Sequence, residues 1–255
     1  MDMRFDVFVF SDFIRNRRLK EGLTQQEFAL MLSEASPKLN GVDNVTLSRW
    51  EKDQITPTLR RMVQILDALG EGVIGRLLKA NLPMRKTVVN NLQRLCLRQF
   101  GQFNLPVENA NATWITDISD KNSIASRYRV QLESQVMWGS GEILLLSQAK
   151  VAVLVLNEIP MAYISYVYDK NVLRVLHVAY RDRKSLMSLL RYLAERLDYN
   201  SEVLHVFAKV PDPPSRSLFL ALGASSCTYK DSLYIERDEL LTNLICILSS
   251  TLQFE

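Results

Sequence analysis

The chain is expected to fold as an all-helical amino-terminal module of five helices, a helical connector, and a carboxy-terminal mixed α/β domain with a mainly antiparallel central sheet. Three observations carry this expectation. At 255 residues, 47% hydrophobic and 23% charged, the chain is long enough for two compact domains with their own cores. In the first third, apolar residues recur at helical spacing. Beyond Trp114, short apolar runs bounded by turn residues alternate with helical patterns. The division reads 1–82, 83–110, 111–236 and 237–255.

The first helix runs from Ser11 to Leu19 and ends at Gly22, a residue that tolerates the left-handed conformation just past a helix end. Thr24 caps the second, with Glu27 three residues on completing a capping box and Phe28, Leu30, Met31 and Leu32 supplying apolar contacts. Asp43 caps the third, in which Val45, Leu47 and Trp50 are interleaved with Asn44, Thr46, Ser48 and Arg49. Thr56-Pro57-Thr58 opens a fourth helix carrying Leu59, Met62, Val63, Leu66 and Leu69, and an amphipathic segment from Val73 to Leu82 is the fifth.

Two stretches are position-specific: Ile14-Arg15-x-x-Arg18-x-x-x-Gly22-Leu23-Thr24-Gln25, and Thr46-Leu47-Ser48-Arg49-Trp50-Glu51 with Pro57 six residues further on. Over residues 10 to 70 they resemble the Cro/C1 repressor (XRE) family of helix-turn-helix regulators. The resemblance implies a lambda-repressor-like fold whose third helix enters the major groove of double-stranded DNA. It makes Asn44, Val45 and Arg49 the base-reading set: Asn pairs with adenine, Arg with guanine, and valine methyls pack on a thymine methyl. It makes Gln25, Ser48, Lys52, Arg60 and Arg61 phosphate contacts, and Arg18 and Glu51 a structural ion pair between the first and third helices.

Two positions depart from that family. Ser33 to Gly41 adds about eight residues between the second and third helices, where connections are usually shorter, so the helix pair is expected to splay or the loop to touch DNA. Asp53 stands where glycine is common, and Asp visits left-handed conformations more readily than most residues. Charge alone does not carry the reading: residues 1–80 hold 12 Lys/Arg against 11 Asp/Glu, and the net charge is +3. Such modules bind two half-sites as dimers, so a homodimer is expected.

Residues 83–107 contain Arg85, Lys86, Arg94 and Arg98 and no acidic residue, with Val88, Val89, Leu92, Leu95 and Cys96 in an apolar stripe. This is a basic amphipathic helix that lies along DNA, pairs with its twin, or packs on the second domain. Pro106 to Thr113 reads as the domain boundary. Strands follow at Val151–Leu156, Met161–Tyr168 and Val172–Tyr180 in an antiparallel meander. Then come a helix with Leu186, Leu189, Leu190, Leu193 and Leu197 on one face, a strand at Val203–Val210, a helix from Pro214 to Leu222 and a strand at Cys227–Glu236. A last helix, Asp238 to Leu252, carries Leu241, Leu244, Ile245, Ile247 and Leu248 on an apolar side expected to need a partner surface, most simply a second copy.

That order, with Leu176 to Leu186 and Asp212 to Ala224, is similar to the GNAT acetyltransferase fold over residues 112–236. The resemblance implies a turn after the third meander strand where small residues let backbone amides reach a cofactor pyrophosphate. Arg181 is kept, but Lys184 and Leu186 fill the two small positions, and Phe219 stands where many members place a tyrosine general acid. Arg181, Arg183 and Lys184 form a candidate ligand loop. No acetyl transfer and no cofactor are expected, acetyl-CoA being the one cofactor the fold would suggest; the domain is then a sensor, dimerisation or partner-binding module for a small-molecule or protein effector. The same residues leave two competing functions open: an active acetyltransferase with a DNA-targeting module, and an antitoxin or adaptor that autoregulates its promoter.

The remaining features point to ordinary roles. Cys96, Cys227 and Cys246 lack Cys-x-x-Cys spacing and His177 and His205 are the only histidines, so neither a disulfide framework nor a metal site is expected. Tyr163, Tyr166 and Tyr168 read as sheet-face residues, Val210 to Pro214 as a rigid turn, and Glu158 and Asp231 as surface acids. The start lacks a signal-peptide pattern, and the apolar window from Ile143 to Leu156 is broken by Ser147, Gln148 and Lys150, so a cytoplasmic protein with no membrane partner is expected.

Overall fold

The computed structural model describes residues 8–80, 85–100, 113–116, 150–157, 159–209, 213–227 and 232–251. The chain start at 1–7, the boundary segment 106–112 and the apolar stretch 143–148, with Glu158, residues 210–212 and Asp231, lie outside them. The chain forms two compact units, residues 1–85 with 249–255 and residues 86–248.

In the first unit the helices are α1 (Phe10–Lys20), α2 (Gln25–Ala35), α3 (Asn44–Glu51), α4 (Leu59–Ala68) and α5 (Val73–Leu77), with a 3-10 turn at Pro37–Leu39. Local chemistry sets their ends. Gly22 takes φ +70° after α1. The Thr24 hydroxyl accepts from the Glu27 amide at 3.2 Å while the Glu27 carboxylate accepts from the Thr24 amide at 2.8 Å, so the capping box closes. Asp43 caps α3 through the Thr46 amide at 2.7 Å, and Thr58 caps α4 through the Arg61 amide at 3.2 Å. Asp53 takes φ +54° in the turn after α3. The core comprises Ile14, Phe28, Leu32, Leu47, Met62, Val63, Leu66 and Leu77, with Trp50 edge-on to Phe10.

The long connection between α2 and α3 does not splay the pair. Leu39 in the 3-10 turn is fully buried, Ser33 donates to Asn40 at 2.9 Å, and a guanidinium nitrogen of Arg61 donates to the Lys38 carbonyl. The extra residues form a small plug against α2 and α4, because burying one leucine and pairing one carbonyl offsets the cost of ordering them.

The second unit holds α6 (Lys86–Phe100), β1 (Thr113–Thr116), β2 (Lys150–Leu156), β3 (Ile159–Asp169), β4 (Val172–Tyr180), α7 (Arg183–Tyr199), β5 (His205–Lys209), α8 (Pro213–Ala221), β6 (Ser225–Ser226), β7 (Ser232–Glu236) and α9 (Arg237–Thr251). Seven strands among the described residues make one sheet in the order β1-β2-β3-β4-β5-β7-β6, with only β4 and β5 parallel. The expected mixed α/β class and mainly antiparallel sheet are both present.

Two bulges shape the sheet. One lies where Val155 opposes Pro160, which has no amide to give the ladder. The other places Leu176 between the pairs Ser165–His177 and Tyr166–Val175. Pairing of β4 with β5 ends at this second bulge, at Val175 and Ala208, while β4 continues to Tyr180. A bulge bends its strand, so β4 and β5 part there.

Leu186, Leu189, Leu190, Leu193 and Leu197 of α7 are buried, and so are Tyr163 and Tyr166. One expectation fails at α9. Leu241, Leu244, Ile245, Ile247 and Leu248 are all buried within the single chain, leaving no apolar side for a twin. Between Leu240 and Leu248 only Thr242 and Asn243 interrupt apolar residues that spread over most of the circumference, the pattern of an interior helix rather than a surface one. Cys96 and Cys246 are buried thiols and Cys227 is a half-buried one, none of them in a disulfide.

Candidate nucleic-acid interface

Helix α3 separates its side chains into two arcs. At about 100° per residue, Asn44, Ser48, Val45 and Arg49 fall within roughly 140° of one another, with Leu47 and Trp50 on the other side of the helix. Leu47 and Trp50 are buried, Ser48 is half-buried, and Asn44, Val45 and Arg49 are exposed, Val45 by 51%. An exposed valine between an amide and a guanidinium offers donors, acceptors and methyls together, the chemistry that reads base edges. The Asp43 carboxyl, capping the same helix, titrates below its ordinary range because the Thr46 hydroxyl and amide both bond it.

Behind that arc lies a polar junction. Arg18 donates to both oxygens of Glu51, from Nε at 2.6 Å and from an Nη at 2.9 Å, and its other Nη donates to the Leu23 carbonyl at 2.8 Å. Gln25 donates its amide to Glu51 at 2.8 Å. Burial pushes the Glu51 carboxyl upward, but the hydrogen bonds from Arg18 and Gln25 and the Arg18 charge prevail and hold it below the carboxylate range. The same bond holds the Arg18 guanidinium above its ordinary value. One junction therefore fixes α1, the first residue of α2 and the last residue of α3.

The phosphate candidates separate. Lys52 is exposed at the end of α3 and Arg60 is half-buried at the start of α4. Arg61 turns toward Lys38, and the Gln25 amide is committed to Glu51. Neither tie has a signal in the sequence; Arg61 bonds a carbonyl that exists only because the connection is long, and Gln25 meets Glu51 only once the helices pack. A further cluster holds the module's far side, where Glu71 accepts from Arg17 at 3.0 Å and from Arg76, and Arg76 lies 4.7 Å over the Phe13 ring.

Residues 14–73 match the helix-turn-helix family model. This is a helix-turn-helix domain. No curated protein matches the chain. Several solved structures resemble about half of it. A GNAT-family acetyltransferase from Desulfovibrio desulfuricans is 12% identical over 50% of this chain and 99% of its own, with a TM-score of 0.39. Ard1 from Thermoplasma volcanium is 15% identical over 49% and 97%, with a TM-score of 0.35. The KacTA–DNA complex is 12% identical over 51% and 96%, with a TM-score of 0.33.

Outside the helix-turn-helix domain, the candidate ligand loop sits between β4 and α7. Arg181, Arg183 and Lys184 are exposed. Three of the amides here are nonetheless committed: those of Arg181 and Asp182 donate to the Ser185 hydroxyl at 3.2 and 3.0 Å, and the Ser185 amide donates to the Asp182 carboxylate at 2.7 Å. An aspartate thus occupies the helix start, where an anionic ligand would bind. The Asp-x-x-Ser spacing that announces this cap is plain in the sequence. Leu186 is fully buried and Phe219 is 1% exposed, so both are core residues.

Beyond the bulge, the Ser215 hydroxyl of α8 donates to the Val178 carbonyl at 3.3 Å, and the Tyr180 hydroxyl donates to Gln99 of α6 at 2.8 Å. Helix α6 packs on α8. The space at the carboxyl ends of the parallel pair β4 and β5, where open α/β sheets bind ligands, is therefore bordered by the chain's own α6 and α8. Among the described residues, no group of three or more His, Cys, Asp or Glu side chains is placed to hold a metal, and no helix is long and apolar enough to cross a membrane.

Proposed function

We propose that this chain is a cytoplasmic, sequence-specific transcription regulator that binds operator DNA as a homodimer through α3, and that its second unit senses or binds rather than catalyses. The observation that carries the DNA reading is the solvent-facing arc of Asn44, Val45, Ser48 and Arg49 held over the buried Leu47 and Trp50. Asn44 and Arg49 read base edges and Val45 packs on a thymine methyl, while Ser48, Lys52 and Arg60 take phosphates. In vitro selection from random duplexes with the full chain tests this. A short enriched site, twofold-symmetric for a dimer, is expected; recovery of unenriched sequence overturns it.

For the second unit, two features support loss of acetyl transfer. The Asp182 carboxylate caps the start of α7 through the Ser185 amide while the Ser185 hydroxyl takes the Arg181 and Asp182 amides, and Phe219 has no proton to deliver to a leaving thiolate. Calorimetric titration of the full chain with acetyl-CoA is expected to show no binding. Micromolar binding together with turnover on any amine would restore the acetyltransferase reading. Copurification of a stoichiometric second protein separates a partner-binding adaptor from a small-molecule sensor.

A further inference from the structure

Helix α6 has two faces of opposite character. Leu92, Leu95 and Cys96 are buried, and Gln99 on the same side is held by the Tyr180 hydroxyl at 2.8 Å. Lys86, Asn90, Arg94 and Arg98 follow one another at four-residue steps, and all four are exposed. At about 1.5 Å per residue they form a stripe about 18 Å long, with neighbours about 6 Å apart. No acidic residue occurs anywhere between positions 83 and 107. Among the described residues, none of Lys86, Arg94 and Arg98 has a carboxylate partner. Three cations are thus presented in a row by a helix pinned along its other side, which lowers the entropy lost when they meet an anion.

We propose that this stripe is a second, sequence-independent contact to the phosphate backbone of DNA, separate from the helix-turn-helix domain. The proposal rests on the DNA-binding reading above. Spaced cations without an apolar centre suit a line of phosphates. A protein partner calls for a buried aromatic or apolar anchor with few lysines, and the stripe has only Leu97 beside it.

The test uses the full chain, the operator recovered by selection, and a scrambled duplex of equal length, with fluorescence anisotropy over a salt series. The triple variant Lys86→Gln, Arg94→Gln, Arg98→Gln is expected to lower the slope of log affinity against log salt by about 2 to 3 for each bound chain, and so by about 5 for a dimer with both stripes engaged, since each neutralised phosphate contributes about 0.9. Both duplexes lose affinity equally and the preference for the operator is unchanged. The single variant Arg98→Gln lowers the slope by about 1 for each bound chain, and a variant with Arg94→Lys and Arg98→Lys keeps the wild-type slope.

An unchanged slope in the triple variant, with the wild type still preferring its operator, overturns this proposal and leaves the helix-turn-helix reading standing. A triple variant that keeps its slope on DNA but loses binding to a polyglutamate probe overturns it in favour of an acidic protein. A wild-type chain that binds no duplex at all removes the DNA reading, and this proposal with it.

Discussion

Arg18 and Glu51, 33 positions apart, meet through two hydrogen bonds of 2.6 and 2.9 Å with the Glu51 side chain only 4% exposed. Removing either partner leaves a buried charge unpaired. Arg18→Ala and Glu51→Ala are each expected to cost on the order of 3 kcal/mol, and the double variant less than their sum. Denaturant unfolding of the four chains of this cycle checks it; additive losses would mean that the pair contributes no coupling.

The same pair sets an acid limit. The folded-state value of Glu51 lies below its ordinary 4.5, so the pair's contribution is complete above 4.5 and is lost as pH falls through the lower folded value. The wild type should therefore lose stability steeply below about pH 4.5, and Glu51→Gln should lose less over that window. Parallel curves for the two proteins would assign acid sensitivity to other carboxylates.

Arg49 and Lys52 lie one helical turn apart, and both are exposed. Arg49→Ala is expected to cost about 1 to 3 kcal/mol on the selected operator and little on random DNA. Lys52→Ala is expected to weaken both duplexes alike. Equal behaviour of the two variants would place α3 outside the groove.

What the sequence discloses and what it hides divide along a physical line. Caps, turn glycines and apolar periods act within a few residues, so Thr24 with Glu27, Asp43 at α3, Gly22 and Asp53 can be read directly, as can the three-strand meander. The exposed arc of Asn44, Val45 and Arg49 follows from the same periodicity. Hidden are effects of long-range packing: Gln25 turning to Glu51, Arg61 bracing the 3-10 turn, and the burial of α9. A helix that is apolar over most of its circumference signals an interior position without saying what covers it, so the same pattern fits a dimer surface until the surrounding elements are placed.

Gly223 and Gly22 make a matched pair. Both take positive φ, +95° and +70°, but a Cβ on Gly223 would stand 2.9 Å from the Asn243 amide nitrogen, whereas one on Gly22 meets nothing within 4 Å. That amide donates to the Leu222 carbonyl at 2.9 Å and cannot withdraw without leaving the carbonyl unpaired. Gly22→Ala is expected to cost about 1 kcal/mol for backbone strain, and Gly223→Ala about 2 to 3 kcal/mol. Thermal melts showing equal shifts would indicate that Asn243 moves aside freely.

Among the described residues, Arg237 is the largest side chain buried below 2% exposure, at the start of α9. Its Nε and one Nη donate to the Leu197 carbonyl near the end of α7, at 3.0 and 2.8 Å, and its other Nη reaches the buried Asp238 carboxylate at 3.4 Å. The guanidinium thus satisfies a helix-end carbonyl and neutralises an acid in one place. Arg237→Ala removes the donors to the Leu197 carbonyl and the charge beside the Asp238 carboxylate, and is expected to cost about 3 to 5 kcal/mol. Arg237→Lys supplies the charge but not the two-pronged donor, so it should recover only part of the loss. Arg237→Met combined with Asp238→Asn removes both charges and should be more stable than Arg237→Met alone. Denaturant unfolding of the wild type, the three single variants and the double variant measures this; a double variant as unstable as Arg237→Met would show that the carbonyl rather than the carboxylate governs the site.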